Sequence, residues 1–179
     1  GDAVRTLPRK LKVGFGDITG VPGASGTAQP LTIGAKVSDG NTASDAYGYI
    51  EAVGGSANDL VISAGGSGYA TQSATANVEL YPISSQERAK GTASVTVANG
   101  AVTGITITNS TAGRGAGYKV GDVVGIKTSD LTDNKGTGAQ ITISTLHRYN
   151  TFFLTDVKGE QFTFSGSTDI FVNDTQFNS

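Results

Sequence analysis

The stretch ASVTVANGAVTGITIT, from Ala93 to Thr108, decides the fold class. Apolar and polar residues alternate on both sides of Asn99-Gly100, and a period of two residues is typical of half-buried β-strands. Asn-Gly is a strong hairpin signal, because both residues accept the positive φ that a two-residue turn requires. The stretch therefore predicts an antiparallel hairpin in which Val95 and Val97 share one face.

The same alternation recurs along the chain, in GYIEAV, DLVISA, NVELYP, VGDVVGI and AQITIS. The 179 residues include 26 glycines, only 16% are charged, and Cys, Met and Trp are absent. Many glycines, serines and threonines disfavour helix, whereas Thr and Val suit a pleated surface. We predict an all-β protein: a β-sandwich or barrel-like domain of short antiparallel strands, with an extended N-terminal arm.

An internal repeat lies in the predicted β-domain, residues 33–146. AVGGSANDLVISAGGSGY (52–69) aligns with VANGAVTGITITNSTAGRGAGY (97–118). The alignment matches Gly55 with Gly100, Leu60 and Ile62 with Ile105 and Ile107, and Tyr69 with Tyr118. Each copy predicts turn, strand, glycine turn, tyrosine and strand; the first copy has Gly54-Gly55 where the second has Asn-Gly, so its turn type stays open. A unit used twice fits a sandwich or barrel better than a solenoid, which needs three or more copies.

The N-terminal segment, residues 1–32, is basic and holds three of the four prolines. Proline fits poorly in a central strand, so the segment predicts an extended arm; an ordinary edge strand with a loop is the alternative. A partner-binding role for its cations is a hypothesis, and strand addition to a neighbouring subunit is the mode expected of VRTLPRKLKV. The four residues concerned are Arg5, Arg9, Lys10 and Lys12.

The C-terminal region, residues 147–179, contains six of the seven phenylalanines. NTFFLTDVKGEQFTFSG predicts a hairpin that turns at Lys158-Gly159. We expect these aromatic side chains to pack in a core on the β-domain, with an exposed patch for a neighbouring subunit as the alternative.

Catalytic motifs are not found. His147 is the single histidine, and GGSGY (residues 65–69) departs from G-x-S-x-G at its last position. Without cysteine there is no thiolate metal site. The acidic loops 38–45 and 129–136 lack the ligand spacing of an EF-hand, which argues against a calcium site of that kind, and calcium binding there stays an open question. We predict no enzymatic activity, cofactor, metal or small-molecule substrate.

GRGAGYKVGD (residues 113–122) resembles a phosphate-binding loop only superficially. A P-loop needs lysine directly after glycine and a following helix, whereas Tyr118 intervenes here and VGDVVGI is strand-like. Because the turn recurs as GGSGY, its shared features are glycine and tyrosine, and Arg114 and Lys119 are interpreted as local decoration. The net charge of −2 gives no general attraction to nucleic acid or anionic membrane, and no apolar run approaches the roughly 20 residues that span a bilayer.

The second copy, GTASVTVANGAVTGITITN…GAGYKVGDVVGI, resembles a repeat of virion structural proteins of tailed bacteriophages, including cyanophages. The resemblance covers roughly residues 47–144, and similar Gly-Tyr repeats occur in bacterial surface proteins. It implies a structural role on the virion, with no catalytic residue to carry over.

From this resemblance and the basic arm we expect a capsid decoration or cement protein on the capsid surface. Its expected partners are the major capsid protein or other virion proteins, and a homo-oligomer is expected. The alternative is a tail, neck or baseplate component, or an adhesin-like host-contact module.

Overall fold

A computed structural model describes residues 10–14, 33–39, 46–159, 169–172 and 175–178, and the described part is all-β, as the sequence predicts. It contains two single-turn 3-10 segments, Thr128–Asp130 and Thr132–Asn134, and no α-helix. Its strands are β1 (Leu11–Gly14), β2 (Lys36–Ser38), β3 (Tyr47–Ala57), β4 (Leu60–Ser67), β5 (Gln72–Ser84), β6 (Thr92–Ala98), β7 (Ala101–Ile107), β8 (Val123–Ile126), β9 (Thr137–Ile143), β10 (Leu146–Lys158), β11 (Asp169–Val172) and β12 (Thr175–Asn178).

The chain divides into two compact units, and the first comprises residues 1–53 and 151–179. Its strands belong to a six-stranded sheet in the order β1-β10-β3-β2-β11-β12. Ile50, Phe152 and Leu154 are among its fully buried side chains, which supports core packing for part of the phenylalanine-rich region. The side chains of the last four phenylalanines, at positions 162, 164, 171 and 177, and the second strand of the predicted hairpin lie outside the description.

The basic N-terminal segment contributes one strand to this sheet. β1 pairs antiparallel with β10, so that Leu11 lies opposite Leu154 and Lys12 opposite Phe153. For Leu11–Gly14 the edge-strand alternative is therefore confirmed. The predicted extended arm otherwise falls on residues 1–9 and 15–32, outside the described residues.

The second unit, Gly54–Asn150, is a six-stranded antiparallel sheet in the order β4-β9-β8-β5-β6-β7. Its two outer strands meet: the N–H of Tyr69, just after β4, donates to the carbonyl of Gly100, just before β7, at 3.1 Å. The sheet thus almost closes into a barrel. Its interior is filled by alternating strand residues, of which Leu80, Ile126, Ile141 and Ile143 are the largest fully buried ones, and by Tyr118 from the segment between β7 and β8.

The predicted hairpin at Asn99-Gly100 is confirmed. Asn99 and Gly100 have φ of 54° and 80°, and they join β6 to β7 with Ala98 opposite Ala101. Positive φ at both central residues matches the right-handed twist of the two strands. Val95 and Val97 both point into the barrel and are at most 1% exposed.

The two repeat copies interlock in this barrel. Extended to the strands that follow it, the first copy comprises β4, β5 and β6, and the second, counted from the Asn99-Gly100 turn, comprises β7, β8 and β9. The sheet order reads the same from either end once these extended copies are exchanged. Each copy's first strand pairs with the other copy's third strand, and the two middle strands pair at Leu80 and Ile126. The register is also equivalent: Leu60–Ile143 corresponds to Ile105–Val95, and Ile62–Ile141 to Ile107–Ala93.

One predicted turn is wrong. Gly54-Gly55 lies inside β3, and the connection to β4 is made by Asn58 and Asp59 instead. A Cβ atom on Gly55 would overlap the carbonyl oxygen of Arg148, so glycine is required here for close backbone approach rather than for a turn. The backbone of Gly55 forms two hydrogen bonds with Tyr118, of 2.7 and 2.9 Å.

Candidate functional site

The glycine-tyrosine turns of the two copies have the same local geometry. Gly66 and Gly68 have φ of 69° and 77°, and Gly115 and Gly117 have φ of 64° and 83°. These values lie in the left-handed region, which glycine adopts at no steric cost. In addition, a Cβ on Gly66 or Gly115 would lie 2.7 Å from Cε2 of the tyrosine three residues later. The backbone is closer still, since this Cβ would lie 2.5 Å from the carbonyl oxygen of Thr137 at Gly66 and 2.6 Å from that of Ala89 at Gly115. The absence of a Cβ therefore makes room for the neighbouring backbone as well as for the tyrosine ring.

Each tyrosine hydroxyl accepts a hydrogen bond from a backbone N–H of the other copy. Tyr118 accepts from Gly91 at 2.7 Å, just before β6, and Tyr69 accepts from Ala139 at 3.0 Å, in β9. Both rings are buried, and burial raises the pKa of Tyr118 to about 12 although the Gly91 N–H acts in the opposite direction. These phenols are structural clamps that join the two copies, and the phenol of Tyr118 stays protonated at neutral pH.

The GRGAGYKVGD stretch is followed by β8 and not by a helix, in keeping with a packing role. The interpretation of Arg114 as local decoration is wrong. Its guanidinium donates to the carbonyl of Ala57 and to Oδ1 of Asn58, both at 2.9 Å, and to Oδ1 of Asn109. Arg114 thereby ties the end of β3 to the loop after β7.

Asp122 stabilises the next turn of this stretch. Its Oδ2 accepts from the N–H of Lys119 at 2.8 Å, and its own N–H donates to the carbonyl of Lys119 at 3.0 Å. Burial raises the pKa of the Asp122 carboxyl, a shift that the Lys119 N–H and ammonium reduce. The carboxylate thus closes a turn within the second unit.

The cations proposed for partner binding are partly described. Lys10 forms an ion pair with Glu51 at 3.0 Å, and both side chains are largely exposed, so the pair contributes at most about 1 kcal/mol. Lys12 is exposed on β1, at the edge of its sheet. Arg5 and Arg9 lie outside the described residues, and the partner-binding hypothesis stays a prediction.

A surface depression of about 330 Å³ lies on the second unit. Its lining combines tyrosine rings, hydroxyls, an ammonium group and two glycines, namely Tyr69, Tyr81, Ile126, Lys127, Thr128, Gly136, Thr137 and Gly138. Tyr81 is 41% exposed, and its ring lies across Gly125 on the neighbouring strand, where a Cβ would overlap it. The Lys127 ammonium lies 3.8 Å from Oε2 of Glu79, so part of its charge is compensated.

Ionisable side chains are dispersed over the described part of the chain. His147 is exposed on β10, and Nε of Arg148 approaches its Nε2 at 3.4 Å. Among the described residues no group of three or more histidines and carboxylates could hold a metal ion, and none of their helices is long and apolar enough to cross a membrane. In the loop 129–136, Oδ2 of Asp130 accepts from the N–H of Glu79 at 3.0 Å.

Comparison of the chain with protein-family models, with curated proteins and with solved structures gave no match. The functional interpretation therefore depends on the geometry of this chain and on its repeat. Sequence reasoning found both tyrosines but missed their partners, Gly91 and Ala139, and the anchoring role of Arg114. The recurrence of Gly-x-Gly-Tyr was the available signal for equivalent clamps, because repeated residues in interlocked copies occupy equivalent environments.

Proposed function

We propose that the chain is a non-enzymatic structural protein of a tailed-bacteriophage virion, and specifically a capsid decoration or cement protein. The observation that carries the proposal is β1, a four-residue strand at the edge of its sheet, which contains the exposed Lys12 and directly follows the exposed Lys10. Among the described strands β1 pairs with β10 alone, and a strand at a sheet edge is the kind of element to which a strand of a shell subunit adds. The Gly-Tyr repeat and the clamped barrel support a scaffold role.

Binding to purified capsids of the virus that encodes the chain tests this proposal. Lys12→Glu places the wrong charge on β1, and Lys135→Glu makes the same change at an exposed site in the second unit. We expect Lys12→Glu to reduce capsid occupancy at least threefold and Lys135→Glu to leave it unchanged. Equal occupancy for the two variants, or no capsid binding by the unaltered protein, contradicts the proposal.

The second candidate is a tail, neck or baseplate component or a host-contact module, and the Tyr81 depression favours it. An exposed aromatic ring beside hydroxyl groups is suited to contact with a polar surface. Gold labelling of the protein in intact particles separates the two candidates. Label on the capsid shell supports a decoration protein, whereas label confined to the tail supports the second candidate.

A further inference from the structure

The Asn99-Gly100 turn is the only covalent connection between two interleaved halves of the chain. In the second unit three ladders join residues before this turn to residues after it: β4 with β9, β5 with β8, and β6 with β7. The first unit likewise combines residues 1–53 with residues 151–179. In each half taken alone, the strand edges that form these ladders therefore have no partner, and the other half supplies it.

We propose that Asn99-Gly100 is a hinge across which two copies of this chain exchange halves to form an intertwined dimer. In that dimer each barrel contains β4, β5 and β6 of one chain and β7, β8 and β9 of the other. Such an exchange preserves every ladder and both tyrosine clamps, since these contacts do not depend on which chain supplies each half. Exchange of identical elements is a route to dimers that needs no new interface.

The local conformation of the hinge controls the exchange. The closed hairpin requires positive φ at Asn99 and Gly100, whereas the flanking sequence VA…AV is extended strand on both sides. In the exchanged form β6 and β7 merge into one long strand, which pairs antiparallel with the same strand of the second copy. Residues that resist positive φ therefore favour the dimer, and so does high protein concentration.

A cysteine pair distinguishes the two forms, because the chain has no cysteine of its own. Ser63 on β4 and Thr142 on β9 belong to different halves, and their hydroxyl oxygens lie 2.6 Å apart. Ser63→Cys with Thr142→Cys should form a disulfide within one chain in the monomer and between chains in the exchanged dimer. Val123→Cys with Thr142→Cys is the matched control, because Val123 lies opposite Thr142 within the same half and crosslinks within one chain in both forms.

Each pair is introduced into the original hinge, into a deletion of Asn99 and Gly100, and into Asn99→Val with Gly100→Val. We expect the original hinge to give intrachain disulfides at low concentration, with an interchain fraction that rises at least fivefold when the protein is refolded at high concentration. Both altered hinges should give dimers by light scattering, with interchain disulfides for the Ser63 pair alone.

The valine variant keeps the loop length, so it decides the outcome if the deletion variant does not fold by circular dichroism. A folded, monomeric hinge variant with only intrachain disulfides overturns the proposal, and so does an original hinge whose interchain fraction is independent of concentration. Interchain disulfides in the Val123 control also overturn it, since they indicate random association. Capsid binding is a separate measurement, and its outcome has no bearing on this one.

Discussion

The tyrosine clamps give the most direct prediction from the structure. Tyr118→Phe removes the hydroxyl that accepts the 2.7 Å hydrogen bond from Gly91 and leaves ring packing almost unchanged. Gly91 is buried, so its N–H would have no partner and no access to water. An unsatisfied buried donor costs about 1–3 kcal/mol, and we expect the free energy of unfolding to fall by that amount. Tyr69→Phe should have a similar but smaller effect, because its bond from Ala139 is longer, at 3.0 Å.

Urea denaturation measures the loss of stability, and amide hydrogen exchange locates it. In Tyr118→Phe the Gly91 amide should exchange at least tenfold faster while the Ala139 amide is unaffected, and Tyr69→Phe should show the reverse. Tyr81→Phe is the control, because its ring is 41% exposed and surface substitutions usually change stability by less than about 0.5 kcal/mol. If Tyr118→Phe matches this control in both stability and Gly91 exchange, the clamp does not stabilise the barrel and the reasoning is refuted.

Three further predictions follow from the same unit. The pKa of the Tyr118 phenol is near 10 in the unfolded chain and about 12 in the folded one, so its contribution to stability is complete below about pH 10. In an alkaline denaturation series the free energy of unfolding should fall by roughly 2–3 kcal/mol by pH 12. Tyr118→Phe should lose less over the same pH range. Gly66→Ala should lower the free energy of unfolding by at least about 3 kcal/mol in urea denaturation, because its Cβ would overlap the backbone of Thr137 and Ala139 as well as the Tyr69 ring. Gly121→Ala, with φ of 93° but open space around it, should cost about 1–2 kcal/mol, and equal losses would rule out this steric overlap. Lysine cannot form the three hydrogen bonds of the planar Arg114 guanidinium, so Arg114→Lys should lower the free energy of unfolding by about 1.5–3 kcal/mol. Arg88→Lys, at an exposed position, should have no measurable effect. Equal stability of the two variants would contradict the anchoring role of Arg114.

The sequence predicts those features of the fold that depend on neighbouring residues. Alternation around Asn99-Gly100 predicts two strands and their turn, because the conformational preference of these two residues is local. The repeat also predicts that Leu60 and Ile105 have equivalent environments. In the structure each of them lies opposite a residue in the third strand of the other copy.

Features that depend on distant residues could not be predicted. Gly54-Gly55 is compatible with a turn and with close strand contact, and only the position of Arg148 decides between them. The partners of Tyr69 and Tyr118 are backbone N–H groups, which every residue but proline carries, so no side-chain pattern marks them. The pairing of β4 with β9 joins strands far apart in sequence, and its register becomes apparent only in the folded sheet.

The palindromic strand order determines when the barrel can form during synthesis. When β6 leaves the ribosome, β4 still has no β9 and β5 has no β8, so the first copy cannot close by itself. At about 5–20 residues per second, translation needs several seconds to reach Ile143 and supply these partners. The open edges of the nascent first copy are exposed throughout this interval, and a slow-translating stretch in the second copy would lengthen their exposure to aggregation and to chaperones.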